Sequence, residues 1–268
     1  MICLVGGGNV FINAKAKHYV YNDIDTHVCD LLYNMYKYGE KSVEYIDNII
    51  SEYNLTKENK DGYLKLREDY NKSKDKPFYL FYALICYSFN NQIRFNSNGE
   101  FNMPFGKDRS SFNTTLRNIF LKYCNALQNI TDMKFESADF RQYDVSCFEQ
   151  NDFVYCDPPY LITCAAYNDC WNEDIEKQLF DFLDNLNANN IKFGLSNVFD
   201  NKGKENTLLK TWEKQGGYEV NHLKHNYGNC NYHSFNKNSD TTDDEVYICN
   251  YKIDKNAAFD MDNDPKLF

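Results

Sequence analysis

Phe153-Val154-Tyr155-Cys156-Asp157-Pro158-Pro159-Tyr160 is the stretch on which the reading of this chain turns. Four apolar and aromatic residues suit a strand buried on both faces. The two prolines end it. Each fixes φ, removes an N–H donor and pushes the residue before it out of the helical region, so the loop is held extended. Such a loop presents a carboxylate from Asp157, the Pro158 carbonyl and the aromatic face of Tyr160, with Pro159 stiffening the turn. An exocyclic amine on an aromatic ring is a poor nucleophile, because its lone pair is delocalised into the ring. Acceptors that hold its hydrogens activate it, and Asp157 and Pro158 supply two. Tyr160 can stack on a base taken out of a duplex. An ordinary β-turn uses the same dipeptides, so the surroundings must decide between the two.

Upstream, Ile2-Cys3-Leu4-Val5 signals a short buried strand that runs into Gly6-Gly7-Gly8 and Asn9, followed by the apolar turn Val10-Phe11-Ile12. Tyr19-Val20-Tyr21 then predicts a second strand ending at Asn22-Asp23-Ile24-Asp25. Strand, glycine turn, helix, strand and acid open a Rossmann-like unit, in which glycines let backbone approach a ligand and the acid holds ribose hydroxyls. Asp23 lies 17 residues after Gly6. A glycine triplet alone also fits a plain turn.

Between about residues 30 and 122 the alternation of strand and helix lapses. Residues 42–50 and 61–71 predict helices with solvated faces, and 78–87 a buried apolar helix. Ile93-Arg94-Phe95-Asn96, the turn Ser97-Asn98-Gly99 and the run 100–106 predict a β-hairpin with an Asn-Gly turn and a basic, Asn-rich edge. A ribbon of that kind fits the major groove, where Arg pairs with guanine and Asn with adenine. A solvated surface hairpin is the alternative. The α/β pattern then resumes: a short strand before Ser137-Ala138-Asp139-Phe140, the strand 153–156, an amphipathic helix 173–186 capped by Asn172, a buried strand 192–197 and a closing pair at 218–220 and 245–251. Residues after 251 are polar and acidic and read as a disordered tail.

The chain has 268 residues, 43% hydrophobic, enough for one core or for a domain with an insertion. Ten cysteines without a Cys-x-x-Cys pair fit reduced, buried thiols rather than a disulfide framework. Cys230 and His233 have no second pair at metal spacing, so no metal is expected. No signal peptide opens the chain, and its longest apolar run, 77–86, is half a bilayer span, which predicts a cytoplasmic protein off the membrane. The net charge of −10 argues against a nucleic-acid partner until it is mapped. Residues 240–268 hold eight acidic and three basic residues, whereas 89–125 hold five basic (Arg94, Lys107, Arg109, Arg117, Lys122) and two acidic (Glu100, Asp108). That second segment is where a phosphate backbone is welcome.

Taken together, the motifs resemble the Dam-like, D12-class DNA adenine-N6 methyltransferases, bacterial and phage-borne, over residues 2–251. The parts that carry the resemblance are Val5-Gly6-Gly7-Gly8-Asn9-Val10-Phe11, Tyr21-Asn22-Asp23-Ile24, the stretch from Phe89-Asn90-Asn91 to Gly106, Asp139-Phe140, and Asp157-Pro158-Pro159-Tyr160 with Tyr167-Asn168 and Trp171 behind it. It implies an α/β, Rossmann-like S-adenosylmethionine-dependent fold. The catalytic domain would be 1–30 with 121–268, and 31–120 an inserted helical and β-hairpin target-recognition domain. Asp23 and Ile24 would hold the ribose side of the cofactor, Asp139 and Phe140 its adenine, and Gly6 to Gly8, between Val5 and Asn9, would pass beneath it. Arg94, Asn96, Asn102 and Pro104 would read duplex DNA, with Lys107 and Arg109 on phosphates and a GATC-like site as the target. A restriction endonuclease acting on the same site is the implied partner. Family members carry a further Lys-containing segment before the glycine motif and an acid in the first strand, where this sequence has Ile2 and Cys3. Either a start lies upstream or cofactor binding is weakened, which leaves a DNA-binding remnant as an alternative. Methylation of cytosine N4 or of a protein amide is a second alternative.

Overall fold

The computed structural model describes residues 2–3, 8, 10–163, 171–223 and 243–253. Eight strands run along the chain: β1 (Ile2–Cys3), β2 (Tyr19–Asn22), β3 (Met133–Glu136), β4 (Phe153–Cys156), β5 (Lys192–Asn201), β6 (Lys204–Glu205), β7 (Glu219–Leu223) and β8 (Asp244–Cys249). The α-helices are α1 (Thr26–Tyr38), α2 (Lys41–Glu52), α3 (Lys60–Lys72), α4 (Phe78–Tyr87), α5 (Thr114–Gln128), α6 (Glu173–Ala188) and α7 (Thr207–Gly216). They fall into two compact units, one with the described residues 2–3, 138–163, 171–223 and 243–253, the other with 8 and 10–137.

In the first unit the spatial strand order is β1-β4-β5-β8-β7, with β6 folded back on the end of β5. β1, β4 and β5 are parallel, in the register Ile2↔Tyr155 and Phe153↔Lys192, while β8 is antiparallel to β5 and β7. Val154, Tyr155 and Cys156 are buried, as a central parallel strand requires. The core joins Val154 and Cys156 to Leu179, Leu183 and Leu186 of α6 and to Phe193 and Leu195 of β5. Truncating one such side chain, for example Leu183, would cost about 2–5 kcal/mol. The α6 start follows its sequence signals: Asn172 Oδ1 accepts from the backbone N–H groups of Asp174 and Ile175, and acidic residues fill the first turn. The antiparallel closing pair of the sequence reading is present as β7 and β8.

In the second unit β2 and β3 pair in parallel, Tyr19↔Met133 to Asn22↔Glu136. The three helices read from residues 42–50, 61–71 and 78–87 form, and α4 is buried at every residue but Tyr79, with α1, α2 and α3 packed against it. The segment 93–106 departs from expectation. It makes no strand, only the isolated antiparallel bridges Phe95↔Phe101 and Ser88↔Phe105. Its turn is the one read from the sequence, Ser97-Asn98-Gly99. Asn96 N–H donates to the Glu100 carbonyl at 2.9 Å, Gly99 N–H donates to Asn96 O at 2.9 Å, and only Gly99 has a left-handed φ of 74°. This is a three-residue loop with a glycine bulge. Val5, Gly6, Gly7 and Asn9, Tyr167 and Asn168, the pair Cys230 and His233, and residues 254–268 lie outside the described residues.

Candidate active site and recognition ribbon

Asp157 leaves β4 at the carboxyl end of the parallel strands, the edge where open α/β sheets bind ligands. It is half-buried and followed by the buried Pro158. The Tyr160 hydroxyl donates to Asp157 Oδ1 at 3.1 Å, and Thr163 donates through N–H and Oγ1 to the Tyr160 carbonyl at 3.0 and 2.9 Å. The loop therefore closes on itself and holds its carboxylate in place. Burial, then the charge of Asp157, pushes the Tyr160 hydroxyl far above its ordinary value, so it stays a donor. That bond gives Tyr160 a role besides the stacking face expected of it. Below the loop, the Tyr155 hydroxyl bonds to Ser196 Oγ at 2.8 Å and ties β4 to β5.

Asp139 caps a short 3-10 turn by accepting from Arg141 N–H at 2.9 Å, and the Arg141 guanidinium grips the same carboxylate. Arg141 holds the Asp139 carboxyl below its usual range. Phe140 is core: 3% exposed, it packs on Trp171 and Phe182 at ring distances of 6.1 and 6.2 Å. Trp171 in turn donates its indole N–H to Glu176 Oε2 at 2.9 Å, while Asn206 donates to Glu176 Oε1 at 3.0 Å. Glu176 has no exposed surface. The sequence reading missed both Arg141 and Glu176. A cation two residues after Asp139 was a visible signal, but an acid in the first turn of α6 reads as an ordinary dipole partner.

In the other unit Gly8 has a φ of +71°, and a Cβ there would stand 2.4 Å from the Phe11 ring and 2.7 Å from the Tyr123 hydroxyl. Only glycine fits. Asp23 follows β2 and accepts the Asp25 backbone N–H on Oδ1 at 2.9 Å. Ile24 beside it is 62% exposed. A tight glycine, an acid at a strand end with several acceptor sites and an open apolar side chain fit a nucleoside. The Cys29 thiol is shared by the Asp23 and Glu136 carbonyls at 3.2 Å each, and burial pushes it up to about 12.

On the ribbon 93–106, side chains alternate as on a strand even though no strand forms. Phe101 and Met103 are buried; Asn96 and Asn102 are half-buried; Arg94, Pro104, Lys107 and Arg109 are exposed. Arg94 donates through Nε to Asn102 Oδ1 at 2.7 Å and through Nη2 to Asn102 O at 2.9 Å. Two of the four residues expected to read DNA thus hold one another. Clamps from α3 fix the other face. Asn71 bonds the Phe101 N–H and carbonyl at 2.8 and 3.0 Å, while Tyr63 and Arg67 both donate to Met103 O, at 2.9 and 3.0 Å. At the base of the ribbon Phe89 is 41% exposed, next to Asn90 and Asn91 with left-handed φ of 55° and 53°. No cluster among the described residues groups three or more side chains able to hold a metal.

Acids set where parallel strands end, in a mixed α/β chain with a glycine-dependent turn, define the class of S-adenosylmethionine-dependent methyltransferase folds. Residues 4–228 match the model of the D12 class N6 adenine-specific DNA methyltransferases, and the chain belongs to that family. It is 43% identical over 253 residues to the type II methyltransferase M.FokI of Planomicrobium okeanokoites, covering 92% of this chain and 38% of that protein. It is 42% identical over 258 residues to the modification methylase StsI of Streptococcus sanguinis, with shares of 92% and 38%. The DNA adenine methylase of Escherichia coli K12 is 32% identical over 180 residues, 61% of this chain and 56% of that protein. The chain thus spans well under half the length of the first two relatives. A methyltransferase family implies S-adenosylmethionine in general, and DNA methyltransferases act on DNA. No described helix is long and apolar enough to cross a membrane.

Proposed function

We propose that the chain transfers a methyl group to adenine N6 in duplex DNA. The Asp157-Pro158-Pro159-Tyr160 loop at the carboxyl end of β4 is the observation that carries this reading. S-adenosylmethionine, when bound, supplies the sulfonium methyl. Asp157 and the Pro158 carbonyl hold the amino hydrogens of an extruded adenine, which turns the nitrogen lone pair out of the ring, and Asp157 stabilises the positive charge that develops on nitrogen. Tyr160 keeps the carboxylate aligned and offers its ring to the base. Asp23 and Ile24 serve the ribose side of the cofactor and Asp139 its adenine, with the glycine turn at Gly8 beneath. Residues 31–120 are the target-recognition part, with Arg94, Asn96, Asn102 and Pro104 toward bases and Lys107 and Arg109 on phosphates. The names of the M.FokI and StsI relatives support a companion endonuclease with the same site.

Incubation of the purified chain with tritiated S-adenosylmethionine and unmethylated duplex DNA, followed by nucleoside analysis and sequencing of methylated positions, tests the reading. Label in N6-methyladenine at one recurrent sequence is expected, and a GATC-like sequence would agree with the family resemblance. Label in N4-methylcytosine or in protein, or none, overturns it.

A further inference from the structure

His27 has no part in the chemistry above, yet it lies between the two ligand regions of residues 8–137. It is the second residue of α1. Its backbone N–H donates to Asp25 Oδ1 at 2.9 Å, and its ring Nδ1 stands 3.1 Å from the same oxygen. Asp25 donates its own N–H to Asp23 Oδ1 at 2.9 Å. The acid at the end of β2, the helix cap and the imidazole therefore form one hydrogen-bonded run. On its other side the imidazole stacks on Phe95, with 4.3 Å between centroids and 25° between planes. Phe95 lies between Arg94 and Asn96, bridges to Phe101 across the ribbon and meets that ring edge-on at 5.7 Å. Imidazole joins a planar stacking face to a ring nitrogen within reach of Asp25; Phe would keep the stack and Gln only a polar end. Tyr70, whose ring is 6.4 Å from His27, is fully buried, and its hydroxyl has no hydrogen-bond partner among the described residues.

Resting on the reading of Asp23 as the cofactor acid and of residues 93–106 as the DNA ribbon, we infer that His27 is a positioning residue that couples the two sites. Ligand hydroxyls on Asp23 alter the hold of that carboxylate on Asp25, Asp25 sets the His27 ring, and the ring sets Phe95 and the Arg94 and Asn96 backbone beside it. Because coupling between two binding equilibria is reciprocal, DNA on the ribbon must raise cofactor affinity by the same factor that the cofactor raises DNA affinity.

The test uses the full chain, S-adenosylhomocysteine as the cofactor probe and a duplex selected from a randomised pool by binding to the chain. Calorimetric titration of the probe is made with and without the duplex, and of the duplex with and without the probe. The parent should show the same factor both ways, about 5-fold or more. His27→Ala should bring that factor below about 2-fold, whereas a residue that merely supports the fold would lower both affinities and leave the factor intact. His27→Phe should restore DNA affinity through the stack without restoring the coupling. Thermal melts of each variant establish that it is folded. An unchanged factor in His27→Ala, or a parent that binds both ligands independently, overturns the inference and leaves the proposed function standing. A parent that binds neither ligand overturns both.

Discussion

The loop that carries Asp157 and the ribbon that carries Arg94 are built in opposite ways. The first hangs from a buried parallel strand, so its position follows from backbone pairing on both sides and from two prolines. The second has two isolated bridges, and its buried side is pinned by side chains of another element, Asn71, Tyr63 and Arg67. Backbone pairing tolerates almost any side-chain sequence that stays apolar, whereas side-chain clamps are specific and individually replaceable. On the proposed reading, chemistry is placed by the part of the fold that is hardest to alter, and recognition by the part that single substitutions can reshape.

The largest way to break this contrast is at Asp157. Asp157→Ala should cut methyl transfer by on the order of 10² to 10³-fold while DNA affinity in a binding titration stays near that of the parent. Full turnover by the variant would remove the loop from the chemistry. Asp23→Ala should weaken calorimetrically measured S-adenosylmethionine binding by about 1–3 kcal/mol, as expected for hydrogen bonds to a charged group, with the melting temperature little changed. On the ribbon, Asn71→Ala leaves two backbone groups of Phe101 without their partner and should cost about 1–3 kcal/mol in denaturant unfolding. It should also blur discrimination between matched and mismatched duplexes, with kcat preserved. A loss of kcat as large as that of discrimination would show that the two regions are not separable. Arg94→Ala should reduce discrimination at one base pair by about 1–3 kcal/mol, whereas Lys107→Ala should weaken all duplexes alike and lower the salt slope by about one. Identical binding across a salt titration for both variants would take the ribbon out of recognition.

The smallest effect sharpens the contrast from another side. Among the described residues, the unit that holds Asp157 buries a carboxylate, Glu176, while the buried polar residues of the other unit are all neutral. Desolvation pushes the Glu176 carboxyl up, against the pull of Asn206, Trp171 and Asn197. A raised folded value means that the native state binds the proton more tightly than the unfolded chain does. Its contribution is therefore fully present below the ordinary 4.5 and is lost as pH rises through the raised value. Glu176→Gln should flatten that slope in denaturant unfolding followed across mildly acid to neutral pH, and an unchanged slope would assign the dependence to other groups.

What could be read from the residues alone follows the same division. β4, α4 and α6 were legible because burial imposes a period or an unbroken apolar run, and Asn172 announces where α6 starts. The α1, α5 and α7 helices were passed over. The first begins at Asp25, inside a motif read only for its acids; the second opens on Thr114 and Thr115, which favour helices weakly; the third is short, with Leu209 and Trp212 its buried side chains. The ribbon was read as a hairpin because alternation of Phe101, Asn102 and Met103 is the same whether backbone pairing or side-chain clamps enforce it. The Tyr160 bond to Asp157 and the His27 stack on Phe95 left no trace in the local pattern. The stack joins residues 68 positions apart, and sequence spacing carries no record of such meetings.

The register of β1 has a consequence for how the chain reaches its native state. Ile2 and Cys3 pair with Tyr155 and Cys156, about 150 residues away, and the other compact unit lies almost wholly in between. Closing so long a loop is entropically slow when the intervening chain is loose, and a folded intervening unit shortens the span that must be searched. During synthesis the first strand emerges long before its partner. It waits as an unpaired edge until β4 leaves the ribosome, so the candidate loop after β4 has one flank, β1, made well before it and the other, β5, made after it.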